Sequence, residues 1–267
     1  MEFAPVEMDP EVRDFYRKTL AVLNEARAPF LVGGAYALAV HAGIERHTKD
    51  LDIFIYRKDC DSVLAKLREA GYRTEVPFPH WLAKAHGDAG FIDVIYGSGN
   101  GVSEVDEGWF DHAAEAELLG IQVKLCPAEE MIWTKAFVQE RERFDGADVA
   151  HLIRSRAHDL DWERLLQRFG DHWRILYSHL ITFGFIYPAE RAKIPARILE
   201  ELADRLRHDS EVPNATGQLC QGTLLSREQY LPDIGTRGYH DARLKPVGRL
   251  SAEEIAHWTA AIACSKP

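Results

Sequence analysis

The sequence predicts an α+β fold, with a mixed sheet and a few helices over residues 1–126 and a mainly helical domain over 127–267 that ends in a loop-rich C-terminal segment. Three observations carry this. Short apolar runs bounded by glycine, proline or polar residues recur through the first half, as buried strands do. Segments with helix-start and helix-stop residues lie between them. Beyond Pro127 the apolar residues fall at helical spacing instead.

Taken in order, Asp9-Pro10-Glu11 reads as an N-cap, a first-turn proline and an acid favoured by the helix dipole, with Val12, Phe15, Leu20 and Leu23 continuing one face. Phe30-Leu31-Val32 is a short strand stopped by Gly33-Gly34. The small-residue run Ala35 to Ala42 is a helix that Gly43 ends. Leu51 to Tyr56 is a second strand, Asp59 to Ala70 a helix closed by Gly71, and Tyr72 to Val76 another strand. Trp81 to His86 and Phe91 to Tyr96 form a strand pair joined at Gly87-Asp88. A Gly/Ser/Asn loop follows at 97–101, and Ile121 to Leu125 is one more strand.

In the second half, Met131, Ile132, Lys135, Ala136 and Val138 mark one helix and Trp162, Leu165, Leu166 and Phe169 another. Pro188 to Arg207 is a further helix, and Pro213-Asn214 opens a looser segment. Ser251 with Glu254 forms a capping box for a last helix.

A chain of 267 residues, 46% hydrophobic and 28% charged, buries enough apolar surface to fold without disulfides or a structural metal. Its four cysteines, Cys60, Cys126, Cys220 and Cys264, are isolated and read as reduced thiols, and the twelve histidines show no paired ligand spacing on a helix. No secretory leader and no membrane-spanning apolar run is evident, so a cytoplasmic protein with no membrane partner is expected. A net charge of −10 argues against duplex DNA as a partner, since that binding needs many phosphates neutralised. A local patch for RNA stays open.

The chemistry concentrates between Leu31 and Ile55. An apolar strand runs into Gly33-Gly34, a helix follows, and beyond Gly43 come Arg46, Thr48 and the run Asp50-Leu51-Asp52-Ile53. Strand alternation puts Asp50 and Asp52 on one face, about 6.6–6.8 Å apart along the strand, with Leu51 and Ile53 turned into the core. Asp93, in Phe91-Ile92-Asp93-Val94-Ile95, is a candidate third carboxylate from a neighbouring strand, with a structural ion pair as the alternative. Three such groups repel by roughly 4 kcal/mol per pair at 4 Å and an effective dielectric of 20, so they call for divalent cations. Oxygen ligands favour Mg2+ or Mn2+.

These residues resemble the nucleotidyltransferase superfamily with the polymerase-beta-like fold, which includes aminoglycoside nucleotidyltransferases and the toxin half of abortive-infection pairs. The match is most specific between Val32 and Phe54, and the separation of Gly34 from Asp50 suits the small bacterial transferases better than polymerases. The resemblance implies that Gly33 and Gly34 hold a nucleoside triphosphate. It makes Asp50, Asp52 and Asp93 the metal ligands and catalytic residues of in-line nucleotidyl transfer, with two ions stabilising the attacking and leaving oxygens. Lys135, and Asp148 in Asp145-Gly146-Ala147-Asp148, resemble the lysine and aspartate of the abortive-infection group, which implies a nucleotide-binding role.

Other readings stay open at several positions. Lys135 is equally a surface residue that snorkels, and Asp148 a partner of Arg141 or Arg143 or a helix cap. Arg46 and Thr48 either meet phosphate, the guanidinium being the better candidate, or shape their loop. The basic run Arg237, His240, Arg243, Lys245, Arg249, flanked by Tyr230 and Tyr239, either meets a nucleic-acid or phosphate-bearing acceptor or pairs with the chain's own acids. The acceptor itself is open among a small molecule, a tRNA and a protein. Two alternatives to an active transferase also stand: a toxin-like member of a two-protein system working through a small protein partner, and a nucleotide-binding module without catalysis.

Overall fold

A computed structural model describes residues 2–3, 8–46, 48, 50–211 and 217–265, and the chain divides into two compact units, Met1–Pro127 with Arg249–Pro267, and Ala128–Gly248. The predicted start of a looser segment at Pro213-Asn214 lies outside the described residues.

The first unit runs β1 (Glu2–Phe3), α1 (Pro10–Glu25), β2 (Leu31–Val32), α2 (Gly34–Ala42), β3 (Asp50–Phe54), α3 (Cys60–Glu69), β4 (Arg73–Phe78), β5 (Leu82–Gly87), β6 (Gly90–Ile95), α4 (Glu107–Asp111), β7 (Ala114–Leu118) and β8 (Ile121–Leu125). Its strands form one mixed sheet in the order β1-β7-β8-β2-β3-β6-β5-β4. β3 and β6 are parallel neighbours at the centre, while β5 pairs antiparallel with β6 through a tight turn in which Gly87 faces Gly90.

The local signals explain the elements around that centre. Asp9 caps α1, its carboxylate accepting from the Glu11 amide at 2.8 Å, and Tyr16, Leu20 and Leu23 of the apolar face are fully buried. Gly43, at φ +66°, ends α2 in the left-handed conformation that glycine adopts without a Cβ penalty. Along β3 the alternation holds, with Leu51 and Ile53 fully buried and Asp50 and Asp52 half-exposed on the opposite face.

The second unit comprises α5 (Ala128–Ala136), α6 (Gly146–Arg156), α7 (Trp162–Phe169), α8 (Trp173–Ile186), α9 (Ala196–Glu211), β9 (Leu219–Cys220), α10 (Leu231–Gly235) and β10 (His240–Asp241). The helical period around Trp162 is realised in α7, which buries Trp162, Leu165, Leu166 and Phe169 and is capped by Asp161. Buried Glu130 of α5 accepts from Arg164 and from Arg168 Nε at 2.8 Å, tying α5 to α7 through charge as well as packing. A buried acid is tolerated when cations and hydrogen bonds surround it in this way.

The predicted helix from Pro188 to Arg207 starts late. Residues before Pro195 form turns, and α9 begins at Ala196, because a proline inside the helix would lack a donor and clash with the preceding turn. The last helix, α11 (Ala252–Ser265), has the predicted capping box: the Ser251 amide donates to Glu254 at 2.8 Å and the Glu254 amide to Ser251 Oγ at 3.2 Å. The sequence boundary placed this helix with the helical domain, whereas it belongs to the first unit. There Trp258 covers Gly99, and His257 shares a 2.7 Å hydrogen bond with the Pro77 carbonyl. Among the described residues no helix is long and apolar enough to cross a membrane.

Candidate active site

The centre of the sheet brings three carboxylates together. Asp52 on β3 stands opposite Asp93 on β6 in the parallel register, with Asp50 two residues earlier on the same face. One ligand oxygen from each of Asp50, Asp52 and Asp93 lies within 4.8 Å of the others. Flanking Leu51, Ile53, Ile92 and Val94 are fully buried, so the acids are fixed to a rigid apolar base.

The two glycines allow the next helix to come down onto these acids. The Gly33 amide donates to the Asp52 carbonyl at 3.0 Å, and a Cβ on Gly33 would lie 2.3 Å from the Phe54 ring. Gly34 has φ +56°, and a Cβ there would lie 1.8 Å from Asp52 Oδ2. Gly33, at the N-cap of α2, has no side chain with which to cap the helix. The amides of its first turn therefore lack intrahelical partners, and the positive end of the helix dipole stands beside the acids.

The surroundings hold the carboxylates individually. Thr48 Oγ1 donates to Asp50 Oδ1 at 2.6 Å. Lys84, on β5 directly opposite Asp93, donates to Asp93 Oδ1 at 2.5 Å, and its ammonium lies 4.3 Å from the centre of the Phe91 ring. Burial pushes the Asp93 carboxyl above the ordinary carboxylate range, with Lys84 pulling it back down and Asp50 pushing it further up.

Two tyrosines stand close enough to feel the same charge. Tyr16 of α1 and Tyr36 of α2 meet edge to face with ring centroids 6.1 Å apart, and neither buried hydroxyl has a hydrogen-bond partner among the described residues. Burial, then the charges of Asp50, Asp52 and Asp93, push the Tyr16 phenol up to about 12. Tyr36 is also pushed up, by burial first and then by Tyr16, Asp50 and Asp52. A buried hydroxyl left unbonded costs about 1–3 kcal/mol, and the hydration shell of a bound ion would supply the missing partner.

This donor set suits a hard divalent ion. All three converging ligands are carboxylate oxygens, the partners that Mg2+ and Mn2+ take, and Mg2+ characteristically keeps several of its waters. Among the described residues no second group of three or more metal-ligating side chains converges in this way.

The remaining predicted site residues are placed as follows. Gly33, Gly34, Thr48, Asp50, Asp52 and Asp93 all contribute to one constellation. Arg46 is exposed on the loop between α2 and β3. Lys135 and Asp148 belong to the second unit and bond to each other at 2.7 Å, with Asp145 also accepting from Lys135 at 3.2 Å. Asp148 is buried there. Burial pushes the Asp145 carboxyl up, but Lys135 and Arg143 outweigh it and hold it below the ordinary range.

In the basic run, Arg237 pairs with Asp233, Arg243 with Asp241 and Arg249 with Glu104. The self-pairing alternative accounts for those three arginines. Sequence reading did not single out Lys84, Tyr16 or Tyr36. For Lys84 a signal existed, because a tight turn pairing Gly87 with Gly90 fixes residue 84 opposite residue 93.

Comparison with known proteins agrees with this arrangement at the level of family. A family model described as a nucleotidyl transferase of unknown function matches residues 12–176. Among solved structures, the antibiotic-resistance factor ANT(2'')-Ia is 19% identical, with 64% of this chain and 98% of that one covered at a TM-score of 0.45. The lincosamide antibiotic adenylyltransferase LnuA is 17% identical, with 55% and 98% covered and a TM-score of 0.38. An antigenic nucleotidyltransferase-like protein from Paracoccidioides brasiliensis is 16% identical, with 71% and 94% covered and a TM-score of 0.46. Comparison with curated proteins gave no match.

Proposed function

The chain belongs to the family of nucleotidyl transferases of unknown function whose model spans residues 12–176, and on that premise we propose that it moves a nucleoside monophosphate from a nucleoside triphosphate to a hydroxyl-bearing acceptor. The observation that carries the proposal is the convergence of Asp50, Asp52 and Asp93 within 4.8 Å, beside the Gly33-Gly34 start of α2.

Asp50, Asp52 and Asp93 would hold Mg2+ or Mn2+, and such ions, typically two at about 3.5–4 Å, stabilise charge on the attacking and leaving oxygens. Every other part belongs to the chain. Gly33 and Gly34 keep side chains out of the approach to α2, so that its first-turn amides can receive phosphate oxygens. Thr48 fixes the Asp50 carboxylate, and Arg46, exposed on the loop before β3, is the candidate guanidinium contact to phosphate. In the second unit, Lys135 is held by Asp148 at 2.7 Å and by Asp145 at 3.2 Å.

In the reaction, the acceptor oxygen forms a bond to the α-phosphorus. The bond from that phosphorus to the bridging oxygen of the β-phosphate breaks, and pyrophosphate leaves with the electron pair. The acceptor proton passes to a carboxylate oxygen of the triad, with Asp93 the candidate acceptor.

Incubation with each α-phosphate-labelled nucleoside triphosphate and Mg2+, alone and with total RNA, protein or small-molecule extract, tests the reading. Label on one acceptor class, lost in Asp52→Asn, is the expected result. No transfer together with no metal-dependent triphosphate binding would overturn it.

A further inference from the structure

We propose that Lys84 is the resident counter-charge of Asp93 and limits the acidic triad to one divalent ion until a triphosphate binds. The inference rests on the metal-binding reading of Asp50, Asp52 and Asp93, and goes beyond it by giving a role to a residue outside the triad.

The argument starts from register. Asp52, Asp93 and Lys84 form a row across three adjacent strands, because Asp52 faces Asp93 on β3 and β6, and Asp93 faces Lys84 on β6 and β5. Lys84 donates to Asp93 Oδ1 at 2.5 Å, and both side chains are mostly buried, at 23% and 16% exposure. A pair held this far from water is poorly screened, so its charges count in full for anything bound beside it. Phe91 supports the ammonium from the other side at 4.3 Å, which favours a cation at that spot.

Charge then sets the occupancy. Three carboxylates carry −3, and Lys84 brings the group of four to −2, the charge one divalent ion neutralises. A second ion would have to share Asp93 with an ammonium already on its Oδ1. The triphosphate changes that balance, because its negative charge offsets both a second ion and the lysine. Lys84 acts through Asp93 and is a positioning residue.

Mn2+ binding without nucleotide, followed by electron paramagnetic resonance of the free ion, tests this on the full chain. The wild type is expected to take up one Mn2+ and Lys84→Met two, with the first ion bound tighter by on the order of tenfold because a like charge beside it is gone. Lys84→Arg, which keeps the charge, should stay at one. Lys84→Gln provides the same reading should the methionine variant fold poorly. A wild type that already takes two ions, or charge-removed variants that stay at one with unchanged affinity, would overturn the role of Lys84 and leave the metal site standing. Absence of Mn2+ uptake by the wild type and by Lys84→Gln would overturn the metal site as well.

Discussion

Gly34 and Asp52 occupy each other's side-chain space: a Cβ on Gly34 would lie 1.8 Å from Asp52 Oδ2, and Gly34 holds φ +56°. Gly34→Ala therefore meets two penalties. The left-handed backbone costs a residue with a Cβ about 1–2 kcal/mol, and the carboxylate must swing out of the triad. Urea unfolding should show that loss of stability, and a parallel Mn2+ titration should show affinity reduced at least about tenfold. Unchanged Mn2+ binding would mean that Asp52 is not held in place by this contact.

Metal should stabilise the wild type and do little for a triad variant. A ligand at a hundred times its Kd adds about 2.7 kcal/mol to the folded state, so Mg2+ or Mn2+ should raise the Tm of the wild type and chelator should reverse the gain. In Asp52→Asn the gain should disappear, while metal-free stability stays level or improves because one of three repelling charges has gone. Equal gains in both proteins would place the ion elsewhere.

Tyr36→Phe is expected to move stability and function in opposite directions. The Tyr36 hydroxyl is buried without a hydrogen-bond partner among the described residues, so removing it should stabilise the ligand-free protein by about 1 kcal/mol. If the hydroxyl bonds to the hydration shell of the bound ion, metal affinity should fall by roughly tenfold. Calorimetry of unfolding and of metal binding on the same sample separates the two effects. A variant that loses stability without metal would show that the hydroxyl already has a partner.

The strands that carry the acids were legible because their period is strict: Asp52 sits between the fully buried Leu51 and Ile53, with Asp50 just before Leu51, and Gly33, Gly34 and Gly43 bracket the intervening helix. Lys84 was recoverable only by counting outward from the Gly87–Gly90 turn to Asp93, because a lysine within Leu82-Ala83-Lys84-Ala85-His86 carries no acid beside it in the chain. β7 was missed for a different reason. Ala114-Glu115-Ala116-Glu117-Leu118 alternates as a strand should, but alanine and glutamate are strong helix formers and weak strand formers, so the pattern and the propensity disagree. The pairing of that strand between β1 and β8 decides the outcome, and pairing is not a local property. Tyr16 and Tyr36 lie twenty residues apart on two different helices and meet only through tertiary packing.

Asp241 and Arg243 anchor the segment that follows α9, and their pair sets a pH dependence. Arg243 is almost wholly buried and donates to Asp241 from Nε at 3.0 Å and from Nη2 at 2.6 Å, while Thr223 Oγ1 adds a bond at 2.8 Å. Burial alone pushes the Asp241 carboxyl up, but the hydrogen bonds and charge of Arg243, with Thr223, outweigh it and hold it below the ordinary range. A carboxyl with a lowered folded value stabilises the protein above its unfolded value of about 3.9, and that contribution is lost as the pH falls through the folded value. Asp241→Asn leaves the guanidinium buried without its carboxylate and should cost about 3–5 kcal/mol at pH 7. The gap between wild type and variant should then narrow in urea titrations run below about pH 3.9. A gap that stays constant across that range would show that the variant is destabilised by lost packing rather than by lost charge.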